Sequence, residues 1–114
     1  MKKFRGVEHH KLQAIGSNYN YCLRRIETMI AKGYLSESEK DIYKIYHAYV
    51  LNVERCFVEF NCLEKSILEK EYFTPLPPMW WMDIYSRSTY YRLRLNIARK
   101  FLHIYEKWNF LEYS

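Results

Sequence analysis

The chain has 114 residues and a mass of 14.1 kDa, long enough for one domain with its own core and too short for two. Its 49% hydrophobic and 18% aromatic content excludes a disordered tail, and no apolar run approaches the roughly 20 residues needed to cross a bilayer. The net charge of +5 is uneven: residues 1–35 hold seven Lys and Arg against two acids, residues 36–73 five against eight, and residues 74–114 six against three. Basic ends around an acidic middle suit a polyanionic partner, which would release counterions on meeting them. Cys22, Cys56 and Cys62 are odd in number and lack CxxC spacing, and no apolar leader segment follows the basic start "MKKFRGVEHHK". Free thiols, a cytoplasmic location and no membrane partner are therefore expected.

From Lys11 to Lys32 the apolar residues Leu12, Ile15, Tyr19, Cys22, Ile26 and Met29 recur every three or four positions, one stripe along a helix. Gly16, Ser17 and Asn18 weaken its propensity and are expected to kink or delay it, and Gly33 is a left-handed stop. In "LSESEKD", Ser36 and Glu39 have capping-box spacing at a second helix start, behind which Ile42, Tyr46, Tyr49, Val53, Cys56 and Phe60 form a matching stripe. Two such helices joined by about four residues make an antiparallel hairpin, placed at residues 8–60. The same seams would suit a homodimer, with packing within one chain preferred.

A shorter helix is expected over "CLEKSILEKEYF", with Leu63, Ile67 and Leu68 inward. "TPLPP" then acts as a stiff connector, because its prolines donate no backbone hydrogen bond and hold their neighbours extended. Pro78 fits the first turn of a short helix over "MWWMDIY", and a long helix runs from about Ser86 to Trp108. The expected class is all-α, one domain over 1–114 with the hairpin first and a helix-turn-helix region at 61–108.

On the last helix, Tyr90, Leu93, Ile97, Phe101, Ile104 and Trp108 share one side, flanked by Ala98, Leu102 and Tyr105. The other side carries Ser88, Thr89, Arg92, Asn96, Arg99, Lys100, His103 and Lys107, with Glu106 the only acid. Surface helices usually mix signs, so a uniformly cationic face points to an anionic partner or to a plain solvated flank. Ser86 can cap the helix, Ser88 and Thr89 are short enough for close approach to DNA, and Arg87 and Arg92 are long enough to reach bases or phosphates.

"YSRSTYYR" resembles the start of the recognition helix in helix-turn-helix proteins of the sigma-factor region-four type. It is especially similar to phage late-transcription regulators of the ArpU and RinA kind, over about residues 61–103. The resemblance implies that Tyr85, Tyr90 and Leu93 are buried while Ser86, Arg87, Ser88, Tyr91 and Arg92 face double-stranded DNA. Thr89, Asn96, Arg99 and Lys100 complete the candidate DNA-binding set. It further implies a regulator of bacterial or phage transcription, with RNA polymerase or another protein as a further partner. This chain departs from the motif in having Ile84 at the turn glycine, Trp80 at a small residue, and "TPLPP" as the link to the first helix.

No other chemistry has a matching pattern. His9 and His10 are adjacent, Cys56 and Cys62 lack a paired histidine, and all three glycines lie within the first 33 residues, so no metal, cofactor or enzyme activity is expected. The alternative function is a helical protein-interaction module anchored by an exposed Trp80 or Trp81, with single-stranded RNA or DNA stacking a third option.

Overall fold

The structure is a computed structural model that describes the backbone of residues 2–113 and the side chains of residues 6–107. It is all-α, with no strand among the described residues: α1 spans Lys2–Lys32, α2 Glu37–Phe57, α3 Cys62–Leu68 and α4 Arg87–Tyr113. A π-helical turn, Glu69–Phe73, extends α3.

The hairpin forms as its seams dictate. Leu12, Ile15, Cys22, Ile26 and Met29 of α1 are buried, as are Val53 and Cys56 of α2. Ile42, expected in the seam, is exposed instead, since the core shifts toward Val50 and Asn52. Contacts run from the Lys32–Glu39 ion pair (2.7 Å) at the loop to Tyr19 Oη donating to Glu54 (2.8 Å), an antiparallel order. Ser36 Oγ accepts from the Glu39 amide while Glu39 accepts from the Ser36 amide, closing the expected capping box. The hydrogen bond from Lys32, followed by that of the Ser36 amide, holds the Glu39 carboxyl at about 2. Gly33 takes a φ of 91°, the left-handed stop.

Gly16 does not kink α1, which runs unbroken from Lys2 to Lys32. It is buried where α1 crosses the π turn, and a Cβ there would stand 2.1 Å from the Tyr72 carbonyl oxygen. The missing side chain lets the two backbones meet. Asn20, one turn on, donates to the Phe73 carbonyl (2.7 Å), satisfying an acceptor at the end of the π turn.

Asn61 and Glu64 make a second capping box at the start of α3. Leu63, expected inward, lies in that first turn and is exposed. The buried residues are Ile67, Leu68, Tyr72 and Phe73. They form two pairs five residues apart, the repeat that a π turn brings onto one face. Thr74 N accordingly bonds to Glu69 O, five residues back.

The short helix expected over "MWWMDIY" is absent. Residues 78–84 are successive turns, with Met82 N bonded to Met79 O (3.1 Å) and both Ile84 N and Tyr85 N bonded to Trp81 O (2.9 Å each). Met79 adopts a φ of 68°, which reverses the chain where an α-helix would have to begin. Helices α3 and α4 are thus joined by a folded segment held by side chains rather than by a third helix. In α4, Tyr90, Ile97, Ala98, Phe101, Leu102 and Ile104 are buried as expected, with Leu93 and Tyr105 half-buried. The side chain of Trp108 lies outside the described residues. Phe101 gathers Phe57, Phe60 and Phe73 around it, with ring centroids 5.8, 6.1 and 5.8 Å away.

The three glycines should separate in an unfolding series. Gly16→Ala is expected to cost about 1–3 kcal/mol or more through overpacking. Gly33→Ala should cost roughly 1 kcal/mol for its positive φ. Gly6→Ala, whose Cβ would meet nothing nearer than His10 at 3.7 Å, should stabilise by about 0.5–1 kcal/mol. Urea midpoints with unchanged slopes check all three.

Candidate nucleic-acid interface

Helix α4 starts where Ser86 caps it: Ser86 Oγ accepts from the Thr89 amide (3.3 Å) and donates to Thr89 Oγ1 (2.9 Å). Its rotation is fixed four residues in. Tyr90 is fully buried, stacked on Trp81 with ring centroids 4.5 Å apart and ring planes nearly parallel, and edge-on to Trp80 at 5.6 Å. Turning Tyr90 inward sends Ser88 and Arg92, each about 160° away on the helical wheel, into solvent.

The Tyr90 hydroxyl donates to Glu71 of the π turn, and the same carboxylate oxygen accepts from Trp80 Nε1 (3.2 Å). The second Glu71 oxygen lies 3.6 Å from the Arg94 guanidinium, both side chains being about one-fifth exposed. Arg94 also lies over the Tyr91 ring, 4.9 Å from its centroid. One carboxylate thus ties the π turn, the turn segment and α4 together. Burial, then the hydrogen bond to Glu71, drives the Tyr90 hydroxyl well above its ordinary pKa, so it remains a donor. Behind it, Tyr72 is buried with its hydroxyl 2.9 Å from His9 Nδ1 of α1. Burial and then the nearby Arg94 lower the His9 pKa, so the neutral ring can accept from Tyr72.

The expected DNA-facing residues divide into three groups. Arg87, Ser88, Arg92 and Asn96 are exposed, and among the described residues Arg87 and Arg92 enter no ion pair or hydrogen bond. Ser86 and Thr89 form the cap, with Tyr91 half-buried beside them. Arg99 and Lys100 are turned to the molecule's own acids. Arg99 pairs with Glu8 of α1 at 3.3 Å, and Lys100 donates to the Glu59 carbonyl (2.8 Å), sits 3.7 Å from Glu64 and covers the Phe60 ring. Arg87, Ser88, Tyr91, Arg92 and Leu95 line an open concavity of about 640 Å³ along the first turns of α4. Of the aromatic anchors weighed for a protein contact, Trp81 is buried and Trp80 half-buried with its N–H engaged, whereas Met82 and Ile84 are exposed.

Glu71 and Arg94 escaped sequence reasoning, since neither belongs to a motif. The available signal was Arg94 sitting one position beyond the apolar Leu93 on an otherwise buried side. Among the described residues, no helix is long and apolar enough to cross a membrane. No protein-family model, curated protein or solved structure matches the chain.

Truncating the hub should be costly: Glu71→Ala strands the Tyr90 hydroxyl and the Trp80 N–H and is expected to lose about 2–4 kcal/mol, against about 1–2 kcal/mol for Tyr90→Phe. Urea denaturation orders the two. His9 gives a pH dependence of definite sign. Its folded-state pKa lies below the ordinary 6.5, so the unfolded chain binds the proton more readily, and the stability held above about pH 6.5 falls as the pH drops below it. Melting temperatures at pH 7 and 5 should differ less in His9→Gln than in the parent chain.

Proposed function

We propose that the chain binds duplex DNA through the first turns of α4 and acts as a transcription regulator, the packed turn segment standing where a sigma region-four motif has its first helix. The observation that carries this is the exposed tip at Arg87, Ser88 and Arg92, where two guanidinium groups flank a small hydroxyl with no acid paired to them among the described residues. The stretch from Ser86 to Asn96 is roughly 15 Å of helix, a length and width that a major groove about 12 Å across accepts. Bare amides in the first turn, together with Ser88, suit a phosphate, and an arginine contacting guanine contributes about 1–3 kcal/mol of discrimination. Arg99 and Lys100 serve chiefly to brace α4 against α1 and α3 in this scheme.

Replacing both Arg87 and Arg92 by Ala should leave the circular-dichroism spectrum unchanged and weaken duplex binding. Each lost phosphate contact lowers the slope of log K against log salt by about 0.9. Arg99→Ala should change the slope less. Titrations of mixed-sequence duplex at three salt concentrations test this, and a double variant with the parent's affinity and slope removes the proposal. A helical protein-interaction module is the second reading, supported by the exposed Met82 and Ile84 next to the tip. It predicts no salt-dependent retention on DNA at all.

A further inference from the structure

Behind the tip lies a second cavity, about 320 Å³, between α1, the π turn, the turn segment and α4. Glu71, Arg94, His9, Gln13, Trp80 and Tyr91 are among its walls. Its volume is at the lower end of the range for small-molecule sites, enough for one or two fused rings, and its walls combine aromatic faces with a few convergent polar groups.

The polar groups define the charge of the occupant. Both Glu71 oxygens are engaged, one by the Tyr90 hydroxyl and Trp80 Nε1 and the other by Arg94, so the cavity presents no free anion to a cation. Arg94 is the opposite case. Its polar partner among the described residues is Glu71, reached from one nitrogen at 3.6 Å, and its planar fork retains N–H donors suited to two oxygens at once. His9 presents an imidazole and Gln13 an exposed amide on the α1 side. At the rim stands Met79, a non-glycine residue held at a φ of 68°. Such conformations cost about 1 kcal/mol or more and gather at ligand sites.

We propose that this cavity binds a small aromatic carboxylate, its ring against Trp80 and its anionic end on the Arg94 guanidinium that covers Tyr91. The site shares Tyr91 with the concavity on the α4 tip but does not rest on DNA binding. A ligand there touches α1, the turn segment and α4 together.

The test is a titration of the nitrogen-labelled full chain with indole-3-acetate, following the indole N–H resonances, with indole and acetate as comparators. The expected result is a saturable shift of the Trp80 resonance with a Kd of about 1 mM or tighter. Indole and acetate alone should bind at least about tenfold more weakly, and Arg94→Gln should weaken indole-3-acetate about tenfold or more. Gln13→Trp obstructs the cavity from an exposed position, leaves the Arg94–Glu71 pair intact and should abolish binding. Arg92→Gln should change nothing. The proposal is overturned by absence of a saturable shift up to about 10 mM, by indole binding as tightly as indole-3-acetate, or by unaltered binding to a folded Gln13→Trp variant.

Discussion

The Glu71 carboxylate is the constraint on which the rest of the candidate site depends. It sits on a π turn that α1 can approach closely only because residue 16 is glycine, and it collects the Tyr90 hydroxyl, the Trp80 N–H and the Arg94 guanidinium. Removing any one donor leaves a mostly buried charge less well compensated, so the members hold one another in place. The turn segment has no regular backbone ladder of its own. Its placement comes from Trp80 and Trp81 packing on Tyr90, and the rotation of α4 comes from the same packing.

Helix α4 divides its cations between two tasks. Arg94, Arg99 and Lys100 are directed to Glu71, Glu8 and Glu64, which join α4 to three other parts of the chain. Arg87 and Arg92, nearer the capped end, are left to solvent. Salt reaches them unequally. The exposed Arg99–Glu8 and Lys100–Glu64 pairs are screened over about a Debye length like Arg87 and Arg92, while the partly buried Glu71–Arg94 pair is shielded from such screening.

Much of the fold was legible because helices advertise themselves by periodicity and caps. The stripes of α1 and α4, the Ser36–Glu39 box and the stop at Gly33 all follow from residue spacing alone. What escaped depends on contacts distant in sequence. Gly16 reads locally as a helix breaker, and only Tyr72, far along the chain, explains it. "MWWMDIY" has helical composition, but stacking of Trp81 on Tyr90 and the left-handed Met79 hold it as turns. The burial of Tyr72 and Phe73 follows a five-residue repeat that a 3.6-residue search does not register. Within the candidate site, the exposure of Ser88 and Arg92 was readable from the helical wheel, while that of Arg87, only about 60° from Tyr90 on the wheel, was implied by the resemblance alone. The diversion of Arg99 and Lys100 was not, because Glu8 and Glu64 lie on other helices.

The continuity of α1 gives the molecule a reach that its small mass conceals. From Gln13, which shares a cavity wall with Arg94, to Gly33 at the hairpin bend, the helix climbs about 30 Å without a hinge. The hairpin bend at the Lys32–Glu39 pair lies beyond the mid-hairpin cluster of Cys22, Ile26 and Val50. One uninterrupted rod therefore fixes the distance between the hairpin bend and the cavity wall, the geometry of a bracket rather than of a clamp.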